Sequence, residues 1–176
     1  MATLSEKKGH AYLLDALAQL RGHREAELDV VGDGELRSVL EARTTALKLG
    51  SGVRFHGELP KEEVARLMAE ADLFVLPSLH ETFGCVLIEA MASGLPSVAT
   101  NVGGVPEVLP PEAGPLVPAR DPEALAAAIE ATLDRDFDPA DLHRRAERDY
   151  GYEGFADRWS AVYDELLSSR GRISSR

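Results

Sequence analysis

Short apolar runs alternate along the chain with stretches in which apolar residues recur every three or four positions. The first pattern is that of buried strands and the second that of helices covering them. The order predicts an α/β fold, a parallel sheet flanked by helices. Leu13, Leu14, Leu17 and Leu20 place a helix over His10–Leu20, and a strand follows at Leu28–Val31, closed by the turn Gly32-Asp33-Gly34. Leu36, Leu40 and Leu47 give a helix over 35–49, with Gly50 where a C-cap belongs. A three-residue strand at 53–55 precedes an amphipathic helix, Lys61–Glu70, with Val64, Leu67 and Met68 inward. An apolar strand over 72–77 stops at Pro77. A helix over 83–93 ends at Gly94, and a strand over 95–100 runs into the glycine-rich turn 101–106. A short strand is predicted at Leu116–Val117. Asp121 as N-cap and Pro122 at the first position open a helix to Leu133, and two further helices are expected over 142–148 and 155–167.

Proline and glycine fall at element ends and no repeat appears, so residues 1–176 read as a single domain. One feature departs from a complete doubly wound sheet. Such sheets begin with a strand that lies in the middle of the order. Here the first helix starts almost at once, and residues 1–4 suffice only for the tail of a strand. A truncated first strand leaves ladder groups open on both neighbours.

Composition narrows the functional classes. Nineteen Lys and Arg stand against 30 Asp and Glu, a net charge of −11. That balance argues against a nucleic-acid partner, which requires a basic stripe to displace counterions. It does not exclude a small anionic ligand, because backbone amides at a helix start bind phosphate without net positive charge. No run approaches the 18 or so apolar residues of a transmembrane segment. The first ten residues lack a signal peptide's apolar core. Cys85 is the single cysteine. Together these features point to the cytoplasm.

The chemistry concentrates between Pro77 and Thr100. A buried strand ends, a polar loop follows, and a helix begins near Phe83 and Gly84. The free amides of that helix start then face the crevice beyond the strand's carboxyl end, where ligands bind in open α/β sheets. Its dipole favours a phosphate or diphosphate, and Gly84 is expected to let a ligand approach the backbone. Glu81 lies just before the helix and Glu89 about a turn and a half within it. Two extended residues and a helical rise of about 1.5 Å per residue keep their Cα atoms within about 15 Å. That reach suits a nucleotide sugar, with a glutamate acceptor for the hydroxyls at each end. Glu89 stands in an otherwise apolar helix, where a buried charge requires a partner. Cys85 has no base beside it and reads as core. His10, His23 and His143 read as helix-surface residues, and no His/Cys/Asp/Glu cluster has metal-ligand spacing.

Glu81 and Glu89 form Glu-x7-Glu. With Pro77-Ser78, Phe83-Gly84, Gly94-Leu-Pro96, Gly103-Gly-Val-Pro-Glu107, Val31-Gly-Asp-Gly34 and Val53-Arg-Phe-His-Gly57, the chain resembles the C-terminal, donor-binding half of retaining GT-B glycosyltransferases of the glycosyl transferases group 1 family. The resemblance spans essentially the whole chain. It implies a Rossmann-like domain that binds a nucleotide-diphospho-sugar as substrate, with no metal or other cofactor. It also implies an acceptor-binding N-terminal domain or chain as partner, and transfer of the hexosyl group to a hydroxyl with retention. Glu89 would accept from the ribose hydroxyls and Glu81 from the sugar. The backbone of Phe83, Gly84 and Cys85 would hold sugar and diphosphate. Gly32, His56, Gly57 and Leu59 would join the nucleotide site, with Phe55-His-Gly-Glu-Leu59 bordering the base. Lys8 matches the family lysine that neutralises the diphosphate.

The family's companion arginine, about five residues earlier, is Thr3 here. Half of the charge clamp is absent, which should weaken catalysis even where nucleotide binds. The family's last helix crosses to the N-terminal domain; in this chain it would fold back or expose an apolar face. Two other readings stand beside the transferase: a non-catalytic nucleotide-sugar-binding or assembly module, and a GT-B-related epimerase or phosphorylase.

Overall fold

The structure is a computed structural model that describes residues 3–171. Its strands form two separate parallel sheets. The first pairs β1 (Leu28–Val31) with β2 (Val53–Gly57), in register Leu28 to Val53 with a bulge between Val30 and Val31. The second has the order β3-β4-β5, with β3 at Phe74–Leu76, β4 at Ser97–Thr100 and β5 at Leu116–Val117. All three pairings are parallel. A short 3₁₀ turn at Glu6–Lys8 precedes α1 (His10–Leu20), and α2 (Arg37–Ala46), α3 (Lys61–Glu70), α4 (Cys85–Ala92) and α5 (Val105–Val108) follow in chain order. Helices α6 (Pro122–Leu133), α7 (Pro139–Tyr150) and α8 (Tyr152–Gly171) complete the described residues.

Alternation along β3 separates two apolar layers. Val75 packs into a cluster with Leu13 and Leu20 of α1, Val98 and Ile129, whereas Phe74 packs with Leu87 and Met91 of α4 and with Leu142 of α7. Helix α1 joins the two sheets. Its Leu13 and Leu20 lie with the three-stranded sheet, and its Leu14 and Leu17 pack with Val30, Leu40 and Val53 around the two-stranded one. Each fully buried leucine of this kind stabilises the fold by about 1.5–3 kcal/mol relative to exposure.

The boundaries depart from the sequence pattern for local reasons. Helix α2 ends at Ala46, not at 49, because Lys48 takes a left-handed φ of 56°; Gly50 starts a separate 3₁₀ turn and is not the C-cap. Strand β2 runs two residues beyond 55 because Val31 pairs with Gly57. Helix α4 begins at Cys85 because Gly84, at φ 89°, cannot be helical. The expected turn at 101–106 contains the start of α5. Helix α7 begins earlier than 142 because Asp138 caps it through Ala140 N–H, with Pro139 at the first position.

No strand forms at Thr3 and Leu4. The rest of the expected strand tail, Met1 and Ala2, lies outside the described residues. Leu4 is fully buried, and it crosses the carboxyl end of β1: its N–H donates to Asp33 O (2.9 Å) and its carbonyl accepts from Leu36 N–H (3.0 Å). Helix α8 leaves an aromatic face exposed. Phe155, Trp159 and Tyr163 follow one another along it with centroids 5.9 and 6.1 Å apart. Among the described residues, no helix is long and apolar enough to cross a membrane.

Candidate functional site

The carboxyl end of β3 meets the residues just before α1. Leu79 and His80 N–H both donate to Lys7 O, at 2.7 and 3.3 Å. Gly9, at φ 65°, seats this junction: a Cβ there would lie 1.9 Å from Pro77 O. Lys8 is thereby carried onto the loop that follows β3, and its Nζ donates to Glu81 Oε2 at 2.7 Å. Residues 73 apart in sequence thus form the ion pair that the resemblance divided between diphosphate and sugar. Glu81 also accepts from Thr82 N–H at 3.1 Å. Burial pushes the Glu81 carboxyl up, but the Lys8 hydrogen bond and charge outweigh it, helped by the Thr82 amide and the Ser78 hydroxyl. The net shift is below the usual glutamate range.

A second glycine contact fixes the same loop from the far side. A Cβ on Gly103 would lie 1.7 Å from Glu81 O, and one on Gly104 would lie 2.4 Å from Thr82 O. The glycine-rich turn therefore presses backbone against backbone behind Glu81. Thr100 Oγ1 donates to Ser78 O at 2.5 Å, tying the loop to β4.

Helix α4 opens without a side-chain cap. Leu87 N–H is taken by Gly84 O, and the amides before it remain directed out of the helix start. Gly84 is buried, and its missing side chain would meet Leu87, Leu76 and Val105. It holds the left-handed turn against the core, and it also lines the adjoining cavity. Cys85 is exposed, which corrects its reading as core. Phe83 is also exposed and meets Tyr150 edge-on, with centroids 6.5 Å apart.

Lys8, Glu81, Phe83, Gly84, Cys85 and Glu89 line one cavity of about 1500 Å³, which extends between β1 and β3. Glu81 and Glu89 thus share an opening. Glu89 is exposed there, so the burial cost expected of a charge in an apolar helix does not arise. The other predicted nucleotide-site residues lie apart from this lining. Gly32 N–H donates to Gly57 O at 2.7 Å, closing the carboxyl ends of β1 and β2. His56 Nε2 lies 2.6 Å from Asp29 Oδ1, and Arg54 grips the same carboxylate, so the imidazole is held on the β1–β2 surface. Leu59 is half-buried beyond β2.

His10 was missed as a surface residue. Its Nδ1 is buried without a partner, and it lines the cavity. Burial, with the Lys8 charge nearby, lowers its pKa to about 4, so the ring is neutral near pH 7. The signal was its place two residues after Lys8, on the side of α1 turned to the sheets. His23 pairs with Glu130 and His143 with Ala92 O, each on the surface. Among the described residues, no three His, Cys, Asp or Glu side chains are grouped to hold a metal.

The profile of the family described as Glycosyl transferases group 1 matches residues 1–135. The MMP alpha-(1->4)-mannosyltransferase of Mycolicibacterium hassiacum is 35% identical over 170 residues, covering 92% of this chain and 41% of that protein. The glycogen synthase of Mycobacterium tuberculosis is 34% identical over 177 residues, covering 96% of this chain and 42% of the enzyme. The structure of HepE from Anabaena in complex with UDP and glucose superposes with a TM-score of 0.81 at 28% identity, over 96% of this chain and 47% of HepE. The chain thus spans less than half the length of these relatives. The family match, the curated relatives and the shared fold agree: the chain belongs to the glycosyl transferases group 1 family and has the α/β fold of GT-B glycosyltransferases.

Proposed function

We propose that the chain binds a nucleotide-diphospho-sugar. Joined to an acceptor-binding N-terminal domain or chain, it transfers the hexosyl group to a hydroxyl acceptor with retention. The observation that carries this reading is the Lys8–Glu81 pair, 2.7 Å apart, set in the same cavity as the uncapped start of α4 and Glu89. In this reading Lys8 and the α4 amides take the diphosphate, the charge that grows as the bond from the anomeric carbon to the diphosphate oxygen breaks. Glu81, released from Lys8, accepts from the sugar hydroxyls, and Glu89 from the ribose. The UDP and glucose bound in the HepE structure support a donor of this class.

Calorimetric titration with UDP and GDP tests the assignment. One of the two should bind, and Glu89→Ala should weaken it about tenfold, the value of one charge-assisted hydrogen bond. Absence of binding at millimolar nucleotide, with Glu89→Ala leaving any residue of it unchanged, defeats the reading.

A second reading, a nucleotide-sugar-binding module without catalysis of its own, is favoured by Thr3 at the position where the family pattern places an arginine. The two separate on sugar transfer when an acceptor-binding half is supplied in trans. Transfer supports the first and binding without transfer the second.

A further inference from the structure

We infer that Ser78 is a positioning residue for Glu81: its hydroxyl holds the carboxylate in place once Lys8 has left it for the diphosphate. This role rests on the donor reading above and deepens it. Pro77-Ser78 belongs to the family pattern, but the resemblance gives the serine no contact with nucleotide or sugar.

Three donors hold Glu81. Lys8 Nζ and Ser78 Oγ both donate to Oε2, at 2.7 and 3.5 Å, and Thr82 N–H donates to Oε1 at 3.1 Å. They differ in how far they can move. Lys8 reaches Glu81 from the segment before α1 on a long flexible stem, and the donor reading takes it away. Ser78 and Thr82 belong to the same loop as Glu81, three residues before it and one after it. When Lys8 departs, Oε2 keeps the Ser78 hydroxyl as its donor among the described residues. The 3.5 Å separation is that of a hydroxyl sharing its oxygen with an ammonium. A hydroxyl that serves a carboxylate alone closes to about 2.5–2.7 Å.

The serine is built to stay. It is fully buried, and a single side-chain torsion carries its Oγ. Its carbonyl accepts from Thr100 Oγ1 at 2.5 Å, and Thr100 is itself buried on β4. The next amide, Leu79 N–H, is fastened to Lys7 O at 2.7 Å, and Gly103 packs against Glu81 O from behind. Strand β4, the segment before α1 and the glycine-rich turn thus fix the backbone from Ser78 to Glu81. A buried hydroxyl in such a frame must find its acceptor nearby, and the Glu81 carboxylate is that acceptor. A side chain without the hydroxyl would leave Oε2 with no protein donor when the sugar arrives. The carboxylate would then turn away or take up a proton instead of accepting from the sugar.

The test is calorimetry of UDP and UDP-glucose, with GDP and GDP-mannose in parallel, on the parent chain, Ser78→Ala, Glu81→Gln and the double variant across a range of pH. At neutral pH Ser78→Ala should lower the preference for the sugar nucleotide over the bare nucleotide about three- to tenfold, the value of one ordinary hydrogen bond. In the Glu81→Gln background the same change should alter that preference by less than about twofold, because the serine acts through the carboxylate. The preference needs the ionised carboxylate and is lost as pH falls. In Ser78→Ala, which lacks a donor to the charged form, that loss should begin at higher pH. Lys8, His10, Cys85 and Glu89, the other titratable groups of this part of the cavity, are the same in every variant and cannot produce the difference. A serine that served folding alone would weaken both ligands alike and leave the pH profile in place. Ser78→Cys, of similar shape and with a weaker donor, should fall between serine and alanine, and it carries the test if Ser78→Ala fails to fold. An unchanged preference in Ser78→Ala or Ser78→Cys, an equal loss for both ligands, or the same loss in the Glu81→Gln background overturns the inference. The donor reading survives each of those results; it falls, and this role with it, if no nucleotide binds the parent chain.

Discussion

Substituting Glu81 by glutamine should tighten the binding of UDP while weakening the preference for a UDP-sugar. Glu81 holds Lys8 at 2.7 Å, with the two side chains only 15% and 28% exposed. A bare nucleoside diphosphate must draw Lys8 from this carboxylate, and it brings its own negative charge beside Glu81. An exposed ion pair contributes 0–1 kcal/mol and a buried one more. For this half-buried pair we take about 1–2 kcal/mol, or about a 5–30-fold tighter UDP complex once Glu81→Gln frees the lysine. A sugar donor compensates the native carboxylate with hydroxyl donors, hydrogen bonds to a charged group worth about 1.5–3 kcal/mol. The glutamine loses most of that increment. Calorimetry of UDP and UDP-sugar on both proteins at fixed salt reads the two effects, and thermal unfolding confirms that the variant is folded. UDP binding that weakens in Glu81→Gln, or an unchanged ratio of the two dissociation constants, would refute the exchange of partners at Lys8. The same holds for GDP donors if guanine is the base.

Three further outcomes follow from the packing. His10 titrates at about 4 in the fold, below the ordinary histidine value. The unfolded chain therefore takes its proton first, and stability is full above about pH 6.5 and lost as pH falls towards 4, by about 2 kcal/mol at pH 5; urea unfolding of His10→Leu should show a shallower loss over that window. Gly103→Ala should unfold more easily than Gly50→Ala, because both glycines have φ near 50° yet a Cβ on Gly103 strikes Glu81 O whereas one on Gly50 meets nothing; the shared backbone strain is about 1–2 kcal/mol, and only the Gly103 variant should also lose UDP affinity. Leu4→Ala, which empties a fully buried site, should cost about 2–5 kcal/mol in denaturant unfolding, and equal stability would show that this segment is not fastened to β1.

The helices and the strand order were legible because their signals are local. Asp121-Pro122 marks the start of α6, whereas the equivalent pair Asp138-Pro139 at the start of α7 was not read and that helix was placed from 142. Glu81 and Glu89 were legible through spacing and loop context. What escaped depends on contacts between distant segments. That Leu76 and Val105 would stand against the missing side chain of Gly84 could not be read from the turn alone. Cys85 looked apolar in a helix of apolar neighbours, and only the direction of α4 turns it outward. His10 sits on a helix whose outer face is polar, and only the approach of the sheets to α1 buries its Nδ1. The brevity of the opening segment pointed to open ladder groups beside a truncated first strand, but not to two separate sheets. That Leu4 would be pinned across the end of β1 was not legible, because Asp33 and Leu36 become its neighbours only in three dimensions.

The edge-on contact of Phe83 with Tyr150 joins the mouth of the cleft to the last residue of α7, two residues before α8 starts. Arg158 donates to the Asp149 carbonyl, and a Cβ on Gly154 would lie 2.0 Å from Arg148 O, so the start of α8 packs closely against the end of α7. The exposed aromatic stripe of α8 thus begins beside Tyr150, the ring that α7 lays against Phe83 at the edge of the cleft.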